Sequence, residues 1–446
     1  MALELPTGVV TLVVLVCTLA AVAGLRQTTF ARVVRLKTDT KAPQVVRLKA
    51  GTTPSQVVRL KADSTAAQAP SSSIARLEPT EESVRRLPAP LLAQLRDNAY
   101  VYFRFVNVQW MRATCERFED VLPGLPAVRL HGDPHLEQYA FTTDSRGLDD
   151  FDDSTLGPFV LDITRFLASL DLALDERGWS AARSRASAAF FAGYRATLSD
   201  RAYLPRDPAA VTRLRAQRPR EMHEFLAWID SLMLPLDPEY EAAVPFVRAA
   251  LEEYAGRVRP GMPSGFFRVK KTGRLNLGVG SALASKALFR LEGASPSDDD
   301  DLVVEAKRSG DLTAVSCLQA VVAPGPVRVV TGSEQIGRLH HQFIMVLPPY
   351  RDSGSDTPRW WLRTWEPSYR EVDIADYVSA EEIVEVAHDV GAQLGHGHMA
   401  TQDTSGGPRD AAQQLRGLDQ LEARIGQAVT DQTAELMEAW RRFRAR

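Results

Sequence analysis

His131-Gly132-Asp133-Pro134-His135 and Asp149-Asp150-Phe151-Asp152-Asp153 are the stretches on which the reading of this chain turns. Each is a polar turn entered from a short apolar run, Val128–Leu130 in the first case, so their carboxylates are expected to converge on one cleft. Phosphoryl transfer needs an acidic group beside the attacking hydroxyl and another that holds magnesium against the phosphates. A hard cation selects carboxylate oxygen, which the second turn has in excess. The first turn equally suits half of a two-metal phosphoesterase site, where His and Asp ligate together. No later Asn-His pair or spaced His cluster completes such a site, and His340, His341, His396 and His398 read as ordinary core or surface residues.

Downstream lies a third element. Gly278-Val279-Gly280-Ser281 sits between strand-like runs and precedes Glu305-Ala306-Lys307 on a later strand. A Gly-rich hairpin over phosphates, with a strand lysine reaching them, is how kinase-like folds grip ATP. There is no Gly-Lys-Ser/Thr opening a helix, so this is not a Walker loop.

Around these motifs the periodicity predicts helices over Pro79–Arg117, Asp162–Asp175, Trp179–Leu198, His223–Leu234 and Tyr240–Val258. Strands are expected within Phe266–Leu291 and at Leu302–Lys307, Val327–Val330, Phe343–Leu347 and Trp360–Trp365. Glu381–Met399 and Arg409–Arg444 read as helices again, and the four-Asp run Asp298–Asp301 as a loop tip between strands. Helices, then a mostly antiparallel sheet, then helices make an α+β protein of two lobes.

The first part of the chain differs. Gly8–Leu25 is uncharged and apolar, preceded only by Glu4 and followed by Arg26, Arg32, Arg35 and Lys37. The charge asymmetry favours a membrane anchor with its C-terminal side in the cytoplasm. A cleaved signal ending near Ala21-Val22-Ala23 and a mis-assigned start, which would leave the protein cytoplasmic, are the alternatives. Val33–Lys37 recurs at Val45–Lys49 and Val57–Lys61, with polar spacers too poor in apolar surface to pack. Residues 26–76 are therefore expected to be a disordered basic linker, whose repeats at 26–61 offer contact with an anionic membrane. The divisions expected are 1–25, 26–76, a helical catalytic-type lobe over 77–260, a sheet over 261–370, and C-terminal helices over 371–446.

With 446 residues, 45% hydrophobic and 24% charged, and a net charge of -3, the chain has an ordinary globular composition and no basic surplus for nucleic acid. Its cysteines, Cys17, Cys115 and Cys317, are odd in number and far apart, which excludes a disulfide scaffold and suggests a reducing compartment.

His131–Tyr139 (HGDPHLEQY), DDFDD, Gly157-Pro158 and Asp162–Leu170 (DITRFLASL) together resemble the bacterial family called domain of unknown function 2252. Tyr102–Phe105, Gly278–Ser281 and Glu305–Lys307 match further elements of that family, and the resemblance runs from Leu87 to Ala400. It implies a protein-kinase-like fold related to aminoglycoside phosphotransferases. The catalytic turns precede the Gly-rich strands here, as in a circularly permuted kinase. Asp150, Gly157 and Asp162 keep the intervals of those phosphotransferases.

By this resemblance Asp133 is the catalytic base, and Asp150 the magnesium ligand with Asp152 its competitor. Lys307 contacts the phosphates of ATP, and Gly278, Gly280 and Ser281 form the loop above them. Asp162 bonds the backbone of the catalytic turn, and Arg104, His131 and His135 lie near the site. The second metal ligand, Asn in the family, is Gln138 here. Leu283 replaces a loop glycine, and the acidic partner of Lys307 is not identifiable, Glu334 being a poor substitute.

Two function classes follow: an ATP- and magnesium-dependent phosphotransferase of unknown acceptor, or a catalytically inactive pseudokinase module tethered to a membrane. A metallophosphoesterase is a distant third.

Overall fold

A computed structural model describes residues 74–217, 220–236, 238–258, 265–275, 286–318, 325–339, 341, 344–347, 360–400 and 410–446. All lie in the second of the chain's two compact units, Pro70–Arg446. The apolar segment at 8–25, the repeats and the Gly-rich stretch at 278–281 fall outside the described residues. Among those described, no helix is long and apolar enough to cross a membrane.

The described part is α+β. It begins with helices α1 (Glu81–Arg85), α2 (Ala89–Asp97), α3 (Ala99–Phe105) and α4 (Asn107–Arg117). Asn98 starts α3, its side-chain oxygen accepting from the backbone N–H of Tyr100 and Val101 at 2.7 and 3.0 Å. Strands β1 (Ala127–Leu130), β2 (Tyr139–Phe141), β3 (Arg146–Leu148) and β4 (Thr155–Pro158) follow, then α5 (Val160–Glu176) and α6 (Arg183–Ser199). α5 is buried on nearly every face, as its apolar sequence requires.

The chain continues through α7 (Ala209–Arg215), α8 (Met222–Leu232), the short β5 (Met233–Leu234) and α9 (Pro238–Val258). The sheet strands are β6 (Val269–Leu275), β7 (Lys286–Leu291), β8 (Leu302–Arg308), β9 (Ile344–Val346) and β10 (Trp360–Trp365), with α10 (Gly325–Ile336) between β8 and β9. The six-stranded sheet is antiparallel throughout, in the order β5-β6-β7-β8-β10-β9. Side chains alternate across it. Phe289 and Val304 meet Leu251 of α9 on one face, while Leu288 and Val303 meet Phe225 and Ile229 of α8 on the other.

After β11 (Arg370–Glu371), which pairs with β2, helices α11 (Ala380–His398) and α12 (Ala411–Ala445) return to the first helices. Trp110, Phe166, Phe190, Val386 and Leu436 share one core. α6 and α11 touch backbone to backbone. A Cβ on Gly193 would lie 2.0 Å from the carbonyl oxygen of His388, and one on Gly391 2.0 Å from that of Phe190.

Two expectations are corrected and a third gains detail. Val327–Val330 is helical, within α10, because Pro326, Arg328, Val329 and Gly332 turn one face inward at helical spacing. The four-Asp run does lie in the connection between the paired strands β7 and β8, where Asp298 and Asp301 pair with Lys270 and Arg290. Cys115 on α4 and Cys317, beyond β8, form a disulfide, so an odd cysteine count did not exclude one long-range bridge. Such a pairing is at odds with the reducing compartment inferred from that count.

The bridge closes 202 residues of chain. Reduction, or Cys115→Ser, is expected to lower the unfolding free energy by about 3 kcal/mol. Urea titrations with and without reductant test this, and coincident curves would show that the bridge contributes nothing.

Candidate functional site

β1 and β4 pair antiparallel, with Leu130 opposite Thr155. His131-Gly132-Asp133 leaves the end of β1, and Asp149–Asp153 leads into the start of β4, so one strand pair sets the two turns side by side. Contact between them is close. Gly132 has φ +91°, and a Cβ there would lie 2.0 Å from the Asp153 carbonyl oxygen. His131 Nε2–H donates to the Asp149 carbonyl at 2.9 Å, its Nδ1 accepts from Asp133 N–H at 3.3 Å, and the ring packs on Phe151. Burial holds this imidazole below its ordinary pKa, against the pull of Asp162.

Asp162, in the first turn of α5 and fully buried, fixes the first turn. Its oxygens accept from the backbone N–H of His131 at 2.7 Å and Gly132 at 2.9 Å, and from His398 Nε2 at 3.1 Å. His398 Nδ1 in turn accepts from Tyr194 O–H at 2.7 Å.

Asp133 is buried and accepts from Arg165 Nε at 2.8 Å. Burial raises its pKa to about 7, with Arg165 opposing and Asp153 adding to the rise. Arg165 is itself enclosed, donating to the Phe103 carbonyl at 2.9 Å with its guanidinium 3.5 Å above the Phe103 ring. His135 stands 3.9 Å from Asp133, and burial, then Arg104 and Arg165, keep it far below the usual imidazole pKa. Arg104 pairs with Glu137 at 2.7 Å.

Lys307 lies across from the second turn. Its Nζ is 3.0 Å from Asp150 Oδ1, 3.3 Å from Asp152 Oδ2 and 3.6 Å from Glu305 Oε1. Glu305 and Lys307 alternate onto one face of β8, which Lys286 on β7 and Arg363 on β10 share by register. Glu305 is buried rather than solvated, held by Arg363 Nε at 3.2 Å and Trp365 Nε1 at 3.0 Å. Burial opposes ionisation of Lys307, but Asp150, Asp152 and Glu305 overcome it and raise its pKa. Burial and the neighbouring Lys307 lower the pKa of Lys286.

The acidic residues are not equivalent. Asp149 is buried, bonded by Arg363, by Tyr369 O–H at 2.8 Å and by His341 Nε2 at 3.2 Å. Burial works against its charge, and Arg363 then His341 outweigh that and hold it ionised. Asp150 has φ 59°, a left-handed conformation uncommon outside glycine. Burial disfavours its charge too, but Lys307 and Arg363 prevail and its pKa is lowered. Asp152 goes the other way, raised to about 7 by burial and by Asp150. Arg328 of α10 clamps the turn, donating to the carbonyls of Asp152 and Ser154 at 2.7 Å each and of Gly310 at 2.9 Å.

Thus Asp133, Asp150, Asp152, Lys307, Asp162, His131, His135 and Arg104 all lie on or beside the paired turns. Gln138 is buried, and its backbone carbonyl accepts from Asp149 N–H at 2.8 Å. Gly278, Gly280, Ser281 and Leu283 lie outside the described residues, though the strands flanking them, β6 and β7, pair directly. The acidic partners of Lys307 come from the second turn and from Glu305, not from α10. Sequence reasoning missed Arg165, Arg328, Arg363, Tyr369, His341 and His398. Only Arg165 carried a local signal, standing three residues after Asp162 on the same helical face.

Among the described residues no group of three His, Cys, Asp or Glu side chains forms a ready-made metal site. Asp150 and Asp152 still suit a hard cation. Asp152 Oδ1 is buried without a hydrogen-bond partner, and the pair repel each other.

Residues 91–227 match the sequence model of a family described as "Uncharacterized protein conserved in bacteria (DUF2252)". The match supports the DUF2252 family. It spans both turns, Asp162 and Arg165, whereas Lys307 and its sheet lie beyond the DUF2252 match. No curated protein and no solved structure matches the chain.

Proposed function

We propose that this protein is a kinase-like phosphotransferase that moves a phosphoryl group from ATP, with magnesium, to a hydroxyl acceptor. The carrying observation is that Lys307 and the Asp150–Asp152 turn, far apart in sequence, meet at 3.0–3.3 Å. A Gly-rich stretch joining two paired strands, a lysine on the next strand and a helix after it is the protein-kinase arrangement. The turns precede the sheet, and α11 and α12 rejoin the helical core, which supports a circular permutation.

In this reading Asp133, with a pKa near neutrality, removes the acceptor's hydroxyl proton. The hydroxyl oxygen bonds to the γ-phosphorus, the bond to the bridging oxygen breaks, and ADP leaves. Arg165 orients the Asp133 carboxyl through Oδ1 and leaves Oδ2 for the acceptor. Lys307 exchanges carboxylate partners for phosphate oxygens. Asp150 and Asp152, with Gln138 the weaker candidate, would hold magnesium, which offsets charge on the phosphates when bound.

A non-catalytic nucleotide-binding module is the second reading, favoured by Gln138 in place of asparagine. ATP with magnesium at a hundred times its dissociation constant is expected to stabilise the full chain by about 2.7 kcal/mol. Lys307→Ala is expected to abolish that shift, and Asp133→Asn to keep it while losing turnover. Binding without turnover in the parent protein selects the second reading, and no shift at millimolar ATP rejects both.

A further inference from the structure

Arg363 and Tyr369, both bonded to Asp149, also line a cavity of about 740 Å3. That volume is typical of small-molecule sites. Its wall joins the helical part to the sheet: Trp228 comes from α8, Trp365 from the end of β10, and Glu371 from β11. The half-buried indoles of Trp228 and Trp365 stack with centroids 5.8 Å apart at 28°, and the Arg220 guanidinium lies 4.2 Å from the Trp228 ring centre.

The cavity is rich in arginine, but most of that charge is already engaged. Arg363 is held by Asp149 and Glu305. Arg215 donates to the carbonyls of Thr142 and Ser145 at 2.8 Å each, and Arg370 to Asp376 at 2.8 Å. A ligand made only of phosphates therefore gains little here. What the wall offers is aromatic surface, the cation above it, and the carboxylates of Asp373 and of Glu371, whose Oε1 accepts from Tyr369 O–H at 3.1 Å while Oε2 stays open to a hydroxyl. Stacking surface beside hydroxyl-accepting carboxylates suits a base joined to a sugar.

We propose that this cavity binds a nucleoside, that of the phosphoryl donor, with the base against Trp228 and Trp365 and the ribose hydroxyls donating to Glu371 and Asp373. Arg363 and Tyr369 connect the cavity to Asp149, so the donor's phosphates run on toward Asp150 and Lys307. This rests on the phosphotransferase reading but assigns residues which that reading leaves unused.

The test is calorimetry on the full chain with adenosine, guanosine, ATP with magnesium, and tripolyphosphate with magnesium. Trp228→Ala is expected to weaken ATP and the preferred nucleoside about tenfold and leave tripolyphosphate unchanged. Lys307→Ala is expected to weaken ATP and tripolyphosphate but not the nucleoside. Should Trp228→Ala misfold, Glu371→Gln serves, with the expected loss of preference for adenosine over its dideoxy analogue. ATP binding that depends on Lys307 but not on Trp228 or Glu371 overturns the cavity assignment and spares the phosphotransferase reading. Nucleoside and ATP bound together without competition overturn the donor assignment and make the nucleoside an acceptor. Nucleoside binding with no binding of ATP or tripolyphosphate sinks the phosphotransferase reading on which the proposal rests.

Discussion

Replacing Asp162 by Ala is expected to lower the unfolding free energy by about 5 kcal/mol, because each buried donor left without a partner costs about 1–3 kcal/mol. Three donors are stranded: the backbone N–H of His131 and Gly132, and His398 Nε2. All are enclosed, and Gly132 cannot move toward solvent without displacing Asp153, whose carbonyl fills the space a Cβ would need. His398 has no easy alternative either, since its other nitrogen is already bonded to Tyr194, which accepts from Gln414 at 3.0 Å. Asp162→Asn keeps the oxygen facing Gly132 but turns an amide toward two donors, so about half the loss is expected. Urea unfolding of both variants measures this. A loss below about 1 kcal/mol for Asp162→Ala would show that the turn is held by β1 and β4 alone, against the expected cost of unpaired buried donors.

What was legible in the sequence was local. The helices of the first part and the Phe343–Leu347 and Trp360–Trp365 strand pair followed from period and composition, and β9 and β10 do pair. Val327–Val330 misled because its β-branched residues favour a strand, while the decisive signals were Pro326 in the first helical turn and burial at helical spacing. In the site, the residue types of the two turns were readable, but not what pairs with them. Arg363 reaches Asp149 only because β10 lies next to β8, and Arg328 reaches the acidic turn only because Gly332 lets α10 sit against Ser154. The Cys115–Cys317 bridge is non-local in the same way. A pattern of residue types carries no register, so such partners appear only once the strands are paired.

Asp152→Asn is expected to stabilise the protein at alkaline pH, on the order of 4 kcal/mol at pH 8. Burial, then Asp150, raises the Asp152 pKa to about 7 in the folded chain, whereas the unfolded side chain titrates near its ordinary value of about 4. Between those values the folded state binds the extra proton, so this group costs more stability as pH rises from about 4 to 7. Asp133, also raised to about 7, acts in the same direction. His131 and His135, held neutral by burial, tilt stability the other way below about pH 6.5. Subtracting the parent from the variant cancels these shared contributions and isolates Asp152. Lys307 keeps Asp150 and Glu305 in the variant, so no buried cation is stranded. The advantage is expected to grow by about 3 kcal/mol between pH 5 and pH 8 in urea titrations. A difference that does not change with pH would mean that Asp152 ionises normally. Magnesium supplies a second arm: it should stabilise the parent at pH 8, where the repelling pair is charged, and not the variant. Equal stabilisation of both would remove Asp152 from the proposed metal site while leaving the pH argument intact. Such a gain on losing a proposed ligand is what a stability–function trade-off predicts, since the cost of placing two carboxylates together is recovered only when a cation binds between them.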